Sequence, residues 1–376
     1  MLDRIVYGVT QGLRGLVRAP GFTLVAVVSI ALGVGAHAAS FSLVDQALLR
    51  QLPVREPERL VLVRWQGQFV GSGWGTGDLF PHPLFRELEA ENEVFGGVFA
   101  RHPTEVSVDV GGSPEQVGAE LVSGSYFPTL AVRPALGRVL DESDDVHRDA
   151  HPVVVLAFDY WKNRLGAPRD IIGRTVRVNS HPMTVVGVAA EGFHGVDWGQ
   201  VPALWVPAMM KRQVTPEFDW LDDRRGRFLH VFARLRDGVT SQQAEAALQP
   251  WFKAKLEFDT RHESWPAVSE EAKQRFLAGR LELSPAAGGR SDLRGQLERP
   301  LVVLLGATGL VLLLACLNVA NLWVARAFVR RQELALRQAL GASRPRILTE
   351  SLTESALLSL GGAALGLLVA PAVIGA

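Results

Sequence analysis

The chain has 376 residues with 39 Lys+Arg and 39 Asp+Glu, a formal net charge of zero. Balanced charge without a long like-charge run carries no electrostatic footprint for nucleic acid, and no nucleic-acid partner is expected. Apolar residues, 48% of the whole, crowd into the two ends, and the single cysteine, Cys316, excludes an intrachain disulfide. The profile is that of a membrane protein with a folded extramembrane middle, roughly 250 residues that must fold on their own core.

Residues 1–20 set Leu2, Ile5, Val6, Val9, Leu13, Leu16 and Val17 at helical spacing, with Arg4, Arg14 and Arg18 among them. This predicts a cytoplasmic amphipathic helix on a membrane surface, broken at Pro20-Gly21. Gly21–Val44 has no Asp, Glu, Lys or Arg and reads as a first span within residues 21–49. Ala31, Gly35 and Ala39 stand four apart and align small residues where another helix can approach closely. Ala36-His37-Ala38 resembles a signal-peptidase site, but Phe41, Leu43, Val44, Leu48 and Leu49 continue the apolar character, as in a retained helix.

Residues 50–299 are expected to form a large extracytoplasmic α+β domain, entered through the proline-containing stretch 45–60. Strand signals cover Arg59–Trp65, Glu105–Val110, His151–Phe158, Thr175–Val178, Met183–Val188 and His230–Leu235. Asn179-Ser180-His181-Pro182 suits a hairpin loop. Helices are expected at Pro83–Glu91, at Phe158–Leu165, and at Gln242–Leu256 behind a cap at Thr240 or Ser241. Residues 257–300 read as charged and irregular, with Pro285 and Gly288-Gly289 as a linker.

Leu301–Val324 is the barest run, with polar side chains only near its end at Cys316, Asn318 and Asn321. As a helix it is about 36 Å long, against roughly 30 Å of hydrocarbon. The second span is set at 300–325. Residues 326–350 then carry Arg326, Arg330, Arg331, Arg337, Arg344 and Arg346, with Leu334, Leu336, Leu340 and Ile347 as apolar anchors. Gly341 can end one short helix and Ser343 cap the next, with Pro345 in its first turn, which predicts a helical hairpin. The third charge-free run, Ser355–Ala376, lies in a span at 351–376 and repeats the small-residue spacing at Gly362, Gly366 and Ala370. Arginine placement puts both flanking segments in the cytoplasm and the middle domain outside, so the lipid bilayer is a partner of the fold.

His147 and His151 flank Asp141, Glu142, Asp144, Asp145 and Asp149, residue types that bind metals. The segment is acidic and turn-rich without a helical pattern, so it reads as a solvated loop rather than a metal site. His181 and His194 are isolated. No nucleophile elbow and no phosphate-cradling loop is present, so neither catalysis nor a cofactor is expected, and any ATP hydrolysis belongs to another subunit.

Several stretches resemble the MacB/FtsX family of ABC-transporter permeases. GFTLVAVVSIALGVGAHAASFSLVDQALLRQLPV resembles the family's first span and exit. GRVLDESDD, VVVLAFDYWKNRLG, IIGRTVRVNSHPMTVVGV and FARLRDGVTSQQA resemble its periplasmic core domain, and RRQELALRQALGASRPRILTESLTESALLSLGGAALGLL resembles its cytoplasmic coupling segment and third span. The resemblance implies a non-enzymatic, multi-pass permease subunit of a bacterial inner membrane with a large periplasmic domain. It implies a separate ABC ATPase subunit, a homodimer or related permease, and a periplasmic adaptor or outer-membrane channel as partners. On this reading Leu334, Leu336 and Leu340 enter a groove on the ATPase. Arg330, Arg331, Arg337, Arg344 and Arg346 complement its rim, and Glu333 and Gly341 match the family pattern around the hairpin. The family's fourth helix is missing here, so the sequence is expected to be a fragment or the front of a longer permease. The alternative from another class is a membrane-anchored regulator of an extracytoplasmic partner such as a cell-wall hydrolase. A third is an extracytoplasmic enzyme using His147, His151 or Asp145.

Overall fold

The computed structural model describes residues 10, 14, 16, 17, 19–45, 50–73, 78–197, 199–290, 294–329, 331, 335, 336, 339 and 344–374. In chain order these form α1 (Pro20–Val44), β1 (Leu60–Gln66), β2 (Ser72–Gly73), β3 (Phe80–Pro81), α2 (His82–Glu91), β4 (Phe95–Asp109) and β5 (Glu115–Val122). There follow α3 (Tyr126–Leu130), β6 (Pro134–Gly137), β7 (Val153–Leu156), β8 (Thr175–Val178), β9 (His181–Ala189), β10 (Leu204–Pro207), α4 (Lys211–Val214) and β11 (Gly226–Leu235). The last elements are α5 (Ser241–Asp259), α6 (Glu270–Leu277), β12 (Arg280–Pro285), α7 (Arg294–Val329) and α8 (Arg344–Ile374). They fall into two compact units, Met1–Arg50 with Asp292–Ala376, and Gln51–Ser291.

The unit Gln51–Ser291 is built on a mixed sheet in the order β12-β1-β11-β4-β5-β10-β7-β9-β6. The long strand β4 joins its two halves. It pairs with β11 through Arg101 and with β5 from Arg101 onward, so one strand is shared in stagger by both neighbours. The pairs β5–β10 and β7–β9 are parallel, and the others on that path are antiparallel. Toward β12 the sheet is covered by α2, α5 and α6 over an aromatic core of Trp65, Phe80, Phe85, Phe252 and Phe276. The Trp65 ring centroid lies 4.9 Å from that of Phe252 and 5.6 Å from that of Phe276, edge-on and tilted respectively. Toward β9 the core is aliphatic, with Val106, Val154, Val185 and Leu204. Of these strands, β7 and β10 read as apolar runs because they are covered on both faces.

Local chemistry explains the turns and caps. Thr240 accepts from the Gln243 amide while the Gln243 side chain accepts from the Thr240 amide, a capping box that starts α5. The β8–β9 connection is tighter than the four-residue loop expected. Asn179 and Ser180 both have positive φ, 48° and 68°, and Val178 faces His181, as a two-residue type I′ turn requires.

Phe158–Leu165 is helical as expected, but most of it is a π-helical turn over Tyr160–Arg164, in which Leu165 N bonds to Tyr160 O at 3.2 Å, five residues back. Another expectation is corrected. Residues 257–300 are not an irregular linker, since they hold α6 and β12 and the start of α7. The outer edge of β12 is closed by α5: the Gln249 side chain donates to Leu281 O at 2.6 Å, and Glu245 accepts from Leu283 N at 3.1 Å. An edge satisfied by a distant helix leaves little local signal beyond the alternation of Leu281 and Leu283.

One buried cation is held by a hydroxyl and two aromatic faces. Lys211 is fully buried, donates to Thr215 Oγ1 at 2.6 Å, and sets its ammonium 3.5 Å and 4.4 Å from the ring centroids of Phe218 and Phe228. Burial pulls its pKa down from 10.5 to about 7, opposed by the charges of Asp219 and Glu217. His102 faces the same rings edge-on, and burial holds its pKa at about 3, so it stays neutral there. The folded lysine therefore binds fewer protons than the unfolded one between about pH 7 and 10.5, and stability rises with pH across that window. Lys211→Met is expected to melt above the parent below about pH 7, with the gap narrowing toward pH 10.5. Thermal melting across pH measures this, and a pH-independent gap would mean that burying the ammonium costs nothing.

Candidate functional site: the helical unit and its arginine-rich end

Among the described residues, three helical stretches are long and apolar enough to cross a membrane, Pro20–Val44, Arg299–Val329 and Ser351–Ala370. They lie in α1, α7 and α8. Much of α7 is bare aliphatic surface, with Val303, Leu310, Leu313 and Leu314 exposed. Helix α8 begins at Arg344 with Pro345 in its first turn and runs without a break into the apolar stretch. The short second helix of the expected hairpin and the third span are thus one helix.

Helices α1 and α8 touch through their small residues. A Cβ on Gly35 would lie 3.2 Å from Gly366 O, and one on Gly366 would lie 2.6 Å from Ala31 O and 3.0 Å from Gly35 N. A Cβ on Gly362 would lie 2.7 Å from Ile30 Cβ. Ala39 and Ala370 are also buried. At these distances any side chain would force the backbones apart. Gly33, which the sequence reading did not single out, meets α7: its Cβ would sit 3.1 Å from Leu312 Cδ1 and 3.3 Å from Ala315 Cβ. The only signal for it was a second small residue between Ala31 and Gly35.

At the end of α7 from which the arginine-rich segment departs, one polar cluster joins all three helices. Arg326 of α7 pairs with Glu354 of α8 at 2.8 Å, and both side chains are nearly buried. The guanidinium lies 4.5 Å from the Phe22 ring of α1 and 5.8 Å from that of Trp323, and these two rings stand edge to face at 5.6 Å. Ala26, Ile30, Val319 and Leu358 pack beside them. Arg326 entered the sequence reading only as a topology charge, and Glu354 and Phe22 did not enter it. The legible signal was a carboxylate directly ahead of a charge-free run. On the opposite side, His37 Nδ1 of α1 lies 3.4 Å from Thr308 Oγ1 of α7.

Of the residues expected to meet a partner, Arg331 and Leu336 are helical and exposed, and Arg344 opens α8. Arg330, Glu333, Leu334, Arg337, Leu340 and Gly341 lie outside the described residues, as does most of the amphipathic helix expected at 1–20.

The acidic segment 141–151 is occupied by structural bonds. Asp141 caps the turn Glu142–Asp145, Asp144 forks onto Arg138 at 2.5 Å and 2.8 Å, and Asp149 accepts from Gln213 at 2.9 Å. Asp145 accepts from Met209 N at 2.9 Å and Gly124 N at 3.2 Å, and burial raises its pKa to about 6. His147 and His151 stack at 6.4 Å, and His194 faces Asp159 at 3.6 Å. Among the described residues no three His, Cys, Asp or Glu side chains gather into a metal site.

Residues 23–251 match the family profile of the MacB-like periplasmic core domain, and residues 305–376 that of the FtsX-like permease C-terminal region. The macrolide export ATP-binding/permease protein MacB of Neisseria meningitidis is 25% identical over 280 residues, covering 74% of this chain and 37% of that relative. The protein of the same name from Burkholderia cenocepacia is 27% identical over 252 residues, covering 66% of this chain and 32% of its own length. The chain thus spans well under half of the curated relatives it matches. The periplasmic region of MacB from Actinobacillus actinomycetemcomitans aligns in structure with 19% identity and a TM-score of 0.39, covering 52% of this chain and 84% of that structure.

The Arg326–Glu354 pair makes a direct test. Glu354→Gln removes the carboxylate that faces Arg326 in a nearly buried place and is expected to cost about 3 kcal/mol. Replacing both residues by methionine removes the buried charge along with its carboxylate and is expected to cost less than either single change. Melting of the detergent-solubilised chain reads the cycle, and additive losses would show that the two side chains do not interact.

Proposed function

This chain belongs to the MacB/FtsX-like family of ABC-transporter permeases, and from that premise we propose that it is a permease subunit that relays ATPase-driven movement across a bacterial inner membrane. The relay reaches an extracytoplasmic domain, residues 50–299, for export or extraction of a substrate. Residues 1–20 and 326–350 face the cytoplasm and residues 21–49, 300–325 and 351–376 span the bilayer.

The observation that carries this reading is the Arg326–Glu354–Phe22 cluster. It sits where the segment after α7 leaves the helices, and it ties that point to α1 and α8 as well. An ion pair and an aromatic face shielded from water resist separation more strongly than the same contacts in solvent. A push on the arginine-rich segment therefore reaches three helices together. Between α1 and α8 the backbone contact at Gly35 and Gly366 leaves no flexible side chains to absorb it.

The partner is a separate ABC ATPase. Leu334, Leu336 and Leu340 enter its apolar groove, while Arg330, Arg331, Arg337 and Arg344 meet its acidic rim, around Glu333 and Gly341. The subunit works as a dimer with a second copy or a related permease, and its outer domain engages a periplasmic adaptor or outer-membrane channel. The chain itself supplies no catalytic group to the cycle.

Two experiments test this. Glu333→Arg combined with Leu340→Asp is expected to lower ATPase co-purification by roughly tenfold or more without altering membrane insertion, and unchanged recovery would reject docking at this segment. A reporter fused at Gly112, in the exposed turn after β4, is expected to be extracytoplasmic, and one at Gln338 cytoplasmic. The reverse pattern would overturn the topology.

A further inference from the structure

The two connectors of the unit Gln51–Ser291 are bonded to each other. Leu52, on the segment that follows α1, donates its amide to Ala287 O at 2.8 Å, on the segment that leads to α7. That outgoing segment is held again by Ala286 N to Leu60 O at 2.9 Å and by Arg290 N to Val196 O at 2.7 Å, a parallel bridge between Asp197 and Arg290. Gly289 makes the crossing possible. Its φ is 77°, and a Cβ there would strike Val196 O and lie 3.2 Å from Leu52 Cδ2.

A buried charge network backs this crossing. Arg290 Nη1 lies 3.7 Å from Asp197 Oδ2, and the same oxygen accepts from Arg101 Nη2. Arg101 Nη1 donates to Glu120 Oε1 at 2.9 Å, and Glu120 Oε2 accepts from Trp205 Nε1 at 2.9 Å and from the Tyr126 hydroxyl at 3.2 Å. Arg101 has no exposed surface, and the side chains of Asp197 and Arg290 are 5% and 9% exposed. Two guanidiniums thus face two carboxylates, the balance that burial demands. Apolar residues of the same volume often stabilise a core as well as such a network does, so its value lies in what it fixes in place. It fixes the outgoing connector to Arg101, the residue at which the long strand β4 passes from β11 to β5.

We propose that Asp197, held by Arg101 and holding Arg290, is the jaw of a clasp that keeps the two connectors together and makes them move as one piece with the sheet. Arg101, Asp197 and Arg290 are positioning residues. The inference rests on the relay reading above and names the joint through which displacement of the helices enters the outer domain. Without the clasp each connector would yield separately, and the displacement would be lost in loop motion.

The test is hydrogen exchange followed by mass spectrometry on the full chain in detergent, which requires no ATPase. Asp197→Asn is expected to speed exchange about tenfold at Leu52, Val54, Gly289 and Arg290 while leaving β7 and β9 unchanged. Arg290→Met, which leaves the Arg101–Asp197–Glu120 set intact, is expected to do the same and keeps the test readable if Asp197→Asn does not fold. Asp219→Asn, at an exposed ion pair with Arg148, serves as control and is expected to leave the connectors protected. An oxidised Leu52→Cys/Ala287→Cys pair in a Cys316→Ser background is expected to restore protection to Asp197→Asn. Acceleration spread evenly over β4, β5 and β10, no acceleration at the connectors, or no rescue by the cross-link would each overturn the clasp. Loss of the relay reading through the ATPase pull-down would leave the clasp itself standing, so the two failures are separable.

Discussion

Close backbone contact between α1 and α8 is the constraint on which the helical unit depends. In hydrocarbon the surroundings are as apolar as the helices, so burying leucine against leucine gains little, and association falls to tight packing and polar contacts. Gly35 against Gly366 supplies the first, with no room for a single added carbon. Arg326 against Glu354, shielded by Phe22 and Trp323, supplies the second. Helix α7, in contrast, keeps many of its large side chains exposed, which suits contact with lipid or with another helix.

The extramembrane unit solves a different problem, since water drives its assembly. Its sheet is wide, and β4 holds it together by pairing with β11 along one half and β5 along the other. The aromatic core over β1 and β11 and the aliphatic core near β9 lie on either side of that strand in sheet order. Charge enters this interior in two forms. Arg101 is matched by carboxylates, whereas Lys211 is matched by ring faces and a hydroxyl. The carboxylates around Arg101 raise its pKa despite burial, whereas Lys211 binds its proton weakly because π faces replace only part of the lost hydration.

The chain's family and its three apolar helices agree in the architecture of a membrane permease. The acidic segment with His147 and His151 shows why residue types alone mislead. Its carboxylates are committed to the amides of Gly124 and Met209 and to Arg138, and a carboxylate so engaged is a cap or an ion-pair partner.

The sequence by itself determined the three apolar helices, because a helix that crosses lipid needs a long stretch without charge. It also marked most of the long strands, from runs of valine bounded by turns, and the cap at Thr240, whose partner is three residues away. Ala31, Gly35, Gly362 and Gly366 were visible as small residues at four-residue spacing, but which helix faces which is a long-range fact. The tertiary structure alone decided the rest. Strand β12 is closed by Gln249 and Glu245 from another element. Glu354 became the partner of Arg326 only when α8 folded beside α7, and Asp197 acquired Arg101 and Arg290 from positions 96 and 93 residues away along the chain. Periodicity reports what a residue's neighbours in sequence require of it, whereas a buried ion pair is specified by two distant residues at once, and the local sequence marks at most one of them.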